Sequence, residues 1–205
     1  LVALVACSVS VSFGDEAAAV STDVNDFVFE SMAADYTLGR ADDGTSTMTV
    51  VETFVAVFPE YDQNRGMRRI LPDSYLGAPL HPQLVSITDA EGAPRPAEVE
   101  SEDGVYVMTS RADDYVHGAQ TYVFTYTLEN VARFFDDTGV DELYWNVNGV
   151  DWAQPFGSVS ATLHVPAELA SALTGAESCY VGAAGATDQC PIASTTDADG
   201  GVTVT

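Results

Sequence analysis

Alternation with period two constrains this chain more than any other feature. In Gln120–Leu128, Tyr122, Phe124, Tyr126 and Leu128 fall on one side, with Thr121, Thr125 and Thr127 on the other. A strand sends successive side chains to opposite faces, so the aromatic set points inward. In Thr47–Phe58, Met48, Val50, Phe54, Ala56 and Phe58 share a face. Ser158–Val165 repeats the pattern with Val159, Ala161, Leu163 and Val165. Further strand-like runs stand at Phe27–Leu38, Leu84–Thr88, Ala97–Glu100 and Val105–Ser110. Turn compositions separate them: Gly39 to Gly44 joins the first two long runs as a hairpin, and Glu91-Gly92 and Asp103-Gly104 mark others. Many short runs of this kind predict an all-β fold, an antiparallel β-sandwich. One short helix is expected near the C-terminal side, over Pro166–Leu173, with Pro in its first turn and Gly175 past its end. Pro59 to Pro82 breaks the pattern and reads as a long connection.

The 205 residues are enough for one large β domain, and 46% hydrophobic content allows a sizeable core. Leu1 to Phe13 is apolar and uncharged, and Ala17-Ala18-Ala19 follows. Residues 1–22 are therefore expected to be the tail of a secretory signal with a linker. Leu4-Val5-Ala6-Cys7 also fits a lipoprotein cleavage box with Cys7 as the lipidated residue. Residues 23–205 are expected to form one extracytoplasmic sandwich domain, truncated at its C-terminal end within Val202–Thr205. Cys179 and Cys190 enclose a Gly-rich interval that can fold back as a hairpin, about 176–194. In an exported chain they are expected to form a disulfide. Closing so short a loop contributes about 3 kcal/mol in the chain-entropy model. A metal site is the alternative there, without a nearby His.

Charge excludes some partners. Against 31 acidic residues stand 7 basic ones, all arginine, for a net charge of −24. Such a field repels nucleic acid and anionic membrane surfaces and favours cations or basic partners. The acids are spread widely, which favours adaptation to salt, or a GC-rich genome that writes Arg instead of Lys, as the source of the charge.

Two stretches carry the candidate site residues. Asp141 to Trp152 holds both tryptophans. Read as a strand, it puts Leu143, Trp145 and Val147 on the core face and Glu142, Tyr144, Asn146 and Asn148 on the other. That polar row is either sheet-face packing or a binding face. The second stretch runs from Asn64 to Pro72 and holds Arg65, Arg68 and Arg69, three of the seven arginines. Glu52 falls on the apolar face of its run, and a bare carboxylate there costs several kcal/mol. An ion pair of Glu52 with Arg68 or Arg69 is expected. Alternatively the block receives an anionic group or a partner carboxylate.

Catalytic and metal motifs are missing from the pattern. There is no Gly-x-Ser-x-Gly, no Cys with a plausible His and no phosphate loop. His81, His117 and His164 show no ligand spacing. The pairs Asp42-Asp43, Asp113-Asp114 and Asp136-Asp137 sit in turns, where calcium would need several to converge. No cofactor and no metal site are expected.

A family resemblance adds to this reading. Thr-Val-Val-Glu-Thr at 49–53, Phe-Pro at 58–59, Asn-Arg-Gly-Met-Arg-Arg-Ile-Leu-Pro at 64–72, Gly-Ala-Gln-Thr-Tyr at 118–122 and Asp-Glu-Leu-Tyr-Trp-Asn-Val-Asn-Gly at 141–149 follow in order. The chain, over roughly residues 27–195, resembles the predicted membrane proteins called domain of unknown function number 2207. The resemblance implies a signal peptide, an extracytoplasmic β domain and membrane-spanning helices further along. It implies no activity. The cysteine clasp resembles an actinobacterial variant. The expected function is a non-catalytic ectodomain of a membrane-anchored protein, tethered through segments outside this chain. Its partner is expected to be an envelope protein or a wall polymer, with no nucleic acid. The alternative is a carboxylate-dependent envelope hydrolase of glycosidase type, which needs two carboxyls at a set separation.

Overall fold

Residues 23–149, 152–183 and 185–205 are described by the structure, a computed structural model. The expected signal tail, residues 1–22, and the lipidation candidate Cys7 lie outside the described residues.

The long hairpin of β1 (Val28–Arg40) and β2 (Ser46–Phe58) is the centre of the fold. Its turn composition and its two alternating arms leave the backbone little else to do. β9 (Gly118–Glu129) pairs with the far side of β2 along its length. This register sets Glu52 opposite Ala34 on β1 and Phe124 on β9. The tyrosines Tyr36 and Tyr126 flank Val50, two residues along on the same face.

The flanks complete a seven-stranded sheet. β6 (Gln83–Thr88) lies beyond β9. β12 (Val159–Val165) lies beyond β1, followed by β16 (Val202–Val204) and β15 (Ser194–Thr196). The pairing of β12 with β1 is parallel. The sandwich is thus antiparallel with this exception, because everything between the two strands serves as their crossover connection.

A smaller layer faces the hairpin. β3 (Gly66–Pro72), β8 (Val105–Arg111) and β7 (Glu98–Glu102) form a three-stranded sheet in that order. The connection expected at 59–82 therefore contains a strand. Its alternation was disguised. Met67, Arg69 and Leu71 point inward, while Arg68, Ile70 and Pro72 are exposed. An arginine inside and an isoleucine outside invert the usual signal. The two-residue strands β4 (Ser74–Tyr75) and β5 (Ala78–Pro79) pair as a small hairpin.

Two other expectations need correction. Asp141–Trp152 is not one strand. β10 (Ala132–Phe135) and β11 (Val140–Leu143) form a hairpin, and the ladder stops at Leu143. The alternation continues without it: Leu143, Trp145 and Val147 are buried and Tyr144 is exposed. The helix α1 spans only Ala167–Ala170. It fully buries no residue; Leu169 and, past its end, Leu173 pack against the core only partly buried, a small reward for a further turn. Beyond it, β13 (Tyr180–Val181) pairs with β14 (Asp188–Gln189) inside the loop closed by the bonded Cys179 and Cys190.

One continuous core lies between the layers. Phe29, Met32 and Tyr36 of β1, Val50 and Phe54 of β2, and Phe124 and Tyr126 of β9 meet Leu71, Met108, Trp145 and Val147 from the opposite side. Among the described residues, Glu52 and Arg69 are the two charged ones buried there.

Candidate functional site

Glu52 sits on the inner face of β2 with no solvent exposure, and Arg69 on β3 retains 2%. Arg69 Nε and Nη2 donate to Glu52 Oε2 and Oε1, each at 2.7 Å, a fork-to-fork pair. Nη2 also donates to the Val147 carbonyl at 3.3 Å, and Nη1 to the carbonyls of Asn148 at 3.1 Å and Ile70 at 3.5 Å. A guanidinium has five N–H groups, and this geometry employs all of them. Tyr126 Oη donates to Glu52 Oε1 at 2.9 Å. Tyr36 Oη reaches the Val147 carbonyl at 3.5 Å.

The network explains why residues 144–149 stay extended without a ladder. Their buried carbonyls need donors. Arg69 supplies them for Val147 and Asn148, and Trp152 Nε1 also donates to the Asn148 carbonyl. Gly149 then turns the chain away at φ +81°, and a Cβ there would stand 2.7 Å from Arg69 Nη1. Asn146 Oδ1 accepts from the Gly149 N–H at 3.2 Å and holds the turn.

The electrostatics follow from burial. Burial works against the charged guanidinium, but the adjoining Glu52 carboxylate outweighs it and holds Arg69 above its ordinary range. Burial, reinforced by the Glu52 charge, pushes the Tyr126 phenol well above its usual value. The guanidinium therefore keeps its charge, and the phenol keeps its proton to donate.

In front of this network lies a cleft of about 400 Å³. Its walls are β3, the β4–β5 hairpin and the extended segment from Tyr144 to Gly149. The lining is mostly apolar: Ile70, Leu71, Leu80, Val105, Trp145 and Trp152. At one side Tyr75 and Tyr144 stack nearly parallel, centroids 6.3 Å apart. Burial, with Tyr144 and Glu142 nearby, raises the Tyr75 phenol. Arg68 lines the cleft from the exposed face of β3. No described residue pairs with its guanidinium. Trp145 is 7% exposed, and its indole N–H has no acceptor among the described residues.

The expected site residues separate accordingly. Arg68, Arg69, Tyr144 and Asn146 meet at the cleft. Arg65 does not line it; its guanidinium lies 4.8 Å from the centroid of the Tyr115 ring. Glu142 accepts from Thr138 Oγ1 at 2.6 Å and pairs across the hairpin with Arg133. Asn148 is buried and contributes its backbone instead of a side chain on a polar row. Arg69, not Arg68, meets Glu52. Tyr126, Tyr36 and Trp152 were missed as network members. Tyrosines at inward positions were the available signal, because a buried phenol needs a polar partner. The histidines stand apart, beside Glu129, Asp62 and Asp35. No group of metal-ligating side chains occurs among the described residues.

The sequence comparison decides the family. The model of the predicted membrane protein (DUF2207) N-terminal domain matches residues 30–204. The chain belongs to the DUF2207 family. Two of the blocks that carry the resemblance, 64–72 and 141–149, supply opposite walls of the cleft in this DUF2207 domain. Among the described residues no helix is long and apolar enough to cross a membrane. No curated protein matches the sequence. Among solved structures, an M1 zinc metallopeptidase from Deinococcus radiodurans is similar at TM-score 0.43 and 10% identity, over 87% of this chain and 38% of that one. A putative protease from Parabacteroides distasonis gives TM-score 0.39 at 10% identity, over 87% and 34%. Leukotriene A4 hydrolase from Saccharomyces cerevisiae gives 0.38 at 10% identity, over 87% and 26%. The chain thus spans well under half of each of these proteins, and likenesses this low decide nothing about its activity.

Proposed function

We propose that this DUF2207 domain is a non-catalytic recognition domain on the extracytoplasmic side of a membrane-anchored protein, and that the cleft beside β3 holds an envelope protein or a wall polymer. One observation carries the reading. The cleft is apolar, braced from behind by a fully bonded ion pair, and the described residues lining it include no Asp or Glu. Ligand sites are commonly of this size and make-up, with a few placed polar groups. Carboxylate-dependent glycoside chemistry needs two carboxyls flanking the bond to be broken. Glu52, the buried carboxylate nearest the cleft wall, is committed to Arg69 and Tyr126. The Cys179–Cys190 bond supports the outward side, since such bonds persist in oxidising compartments.

Protease shaving of intact cells tests the location. The domain should be removed before lysis; a domain degraded only after lysis overturns the outward placement. Purified protein incubated with wall fragments tests the rest. No turnover is expected, and hydrolysis of any fragment overturns the non-catalytic reading.

A further inference from the structure

β3 is the edge of its sheet. It pairs with β8 alone, and no other described backbone group bonds to Gly66–Pro72; of its outward groups the Ile70 carbonyl is held by Arg69 Nη1 at 3.5 Å. The cleft runs along this edge, since residues from both faces of the strand line it: Arg69 and Leu71 from the inner face, Arg68, Ile70 and Pro72 from the outer. Edge strands in native proteins are commonly covered or interrupted, because their idle N–H and C=O groups recruit other strands. Here Pro72 interrupts only the end, and Ile70 remains 50% exposed. Across the gap the other wall is extended as well, and Trp145 lines it, its indole N–H buried and without an acceptor among the described residues.

Charge narrows the occupant. The chain carries a net charge of −24, so a strongly acidic partner is repelled at a distance. Screening confines that field to about 8 Å at physiological salt, and within that range the cleft presents Arg68. One carboxylate fits there, on a segment otherwise neutral or basic.

We propose, building on the recognition role above, that the cleft takes an extended segment of a partner protein, added as a strand to the open edge of β3. One large apolar side chain fills the slot between Leu71, Leu80 and Trp152. A carboxylate of the segment pairs with Arg68, and its backbone packs against the Trp145 ring that lines the facing wall. Strand addition draws its affinity from backbone bonds and its specificity from such alternate side-chain contacts.

Selection from random linear peptides displayed on phage, against the intact chain, tests this. Enriched sequences should carry a large apolar residue near a single Asp or Glu, with basic or neutral neighbours. Arg68→Glu should weaken the selected peptide roughly tenfold and shift selection toward Lys or Arg at the acidic position. The chain has two tryptophans, so its indole region holds two signals. The selected peptide should move that of Trp145, with a smaller effect on Trp152, whose N–H is already bonded to Asn148. A proposal of this kind is overturned by enrichment without an acidic preference, by indifference to Arg68→Glu, or by binding that leaves the Trp145 signal unmoved. Soluble wall fragments form a second arm. If they move the Trp145 signal and no peptide does, strand addition is wrong while the cleft remains a recognition site. If neither does, strand addition is wrong, and the shaving and turnover experiments still judge the recognition role separately.

Discussion

The middle of the large sheet and the wall of the cleft solve the same problem differently. In β1, β2 and β9 the backbone groups are satisfied by neighbouring strands, so the side chains between them can be almost wholly apolar. Opposite them, residues 144–149 have no ladder, and a charged side chain does the bonding instead. Arg69 joins the two regions, with one edge of its guanidinium on Glu52 and the rest on carbonyls of the unladdered segment. The lesson is that irregular backbone enters a core only with its polar groups answered. Here the answer fixes the position of one wall of the cleft.

Removing Arg69 should break this arrangement most severely. Arg69→Ala removes the counter-charge of a buried carboxylate, which keeps only Tyr126 among the described residues, and takes a donor from the Val147 and Asn148 carbonyls, which keep Tyr36 and Trp152. Urea unfolding should register a loss of about 3–5 kcal/mol. Glu52→Gln should also destabilise strongly, and the double variant should lose less than the sum, since the pair is in direct contact. Additive losses would mean that the two residues stabilise the fold independently.

Gly149→Ala should come next. It forces a left-handed backbone on alanine and presses a methyl against the guanidinium. A loss of about 1–3 kcal/mol is expected, measured in the same way. An unchanged midpoint would show that the wall tolerates displacement.

Tyr126 sharpens the comparison through pH. Its folded phenol is raised by burial and the Glu52 charge, whereas an unfolded phenol titrates near pH ~10. Above that pH the unfolded chain binds fewer protons than the folded one, so this group's stabilisation, fully present below it, is lost as pH rises. The slope contributed is up to about 1.4 kcal/mol per pH unit. Tyr126→Phe should therefore unfold with a shallower pH dependence in that window. Equal slopes would place the phenol proton outside the network.

The smallest effect belongs to the adjacent residue. Arg68→Ala should leave stability within about 0.5 kcal/mol of the starting chain, because the side chain is exposed and bonds to no described residue. A loss near that of Arg69→Ala would make both arginines structural and remove Arg68 as a ligand contact.

The sandwich was legible where pattern and ladder coincide. Tyr122, Phe124, Tyr126 and Leu128 are buried on β9, and Met48, Val50, Phe54, Ala56 and Phe58 on β2, as alternation requires. β3 was not legible, since Arg69 holds an inward position and Ile70 an outward one. Segment 144–149 misled in the opposite sense. Its alternation records burial, and burial does not demand a strand partner. The parallel entry of β12 beside β1 left no local trace either, because strand direction depends on the crossover between them.

From its sequence alone this chain had to be a β-sandwich with an acidic surface, and Glu52 had to face its core. Alternation and composition act locally, and each residue carries that information itself. The choice of Arg69 over Arg68, and the meeting of 64–72 with 141–149 across a cleft, belong to the tertiary structure. Both depend on carbonyls 78 and 79 residues away from Arg69, and only the packed layers bring those within reach of one guanidinium.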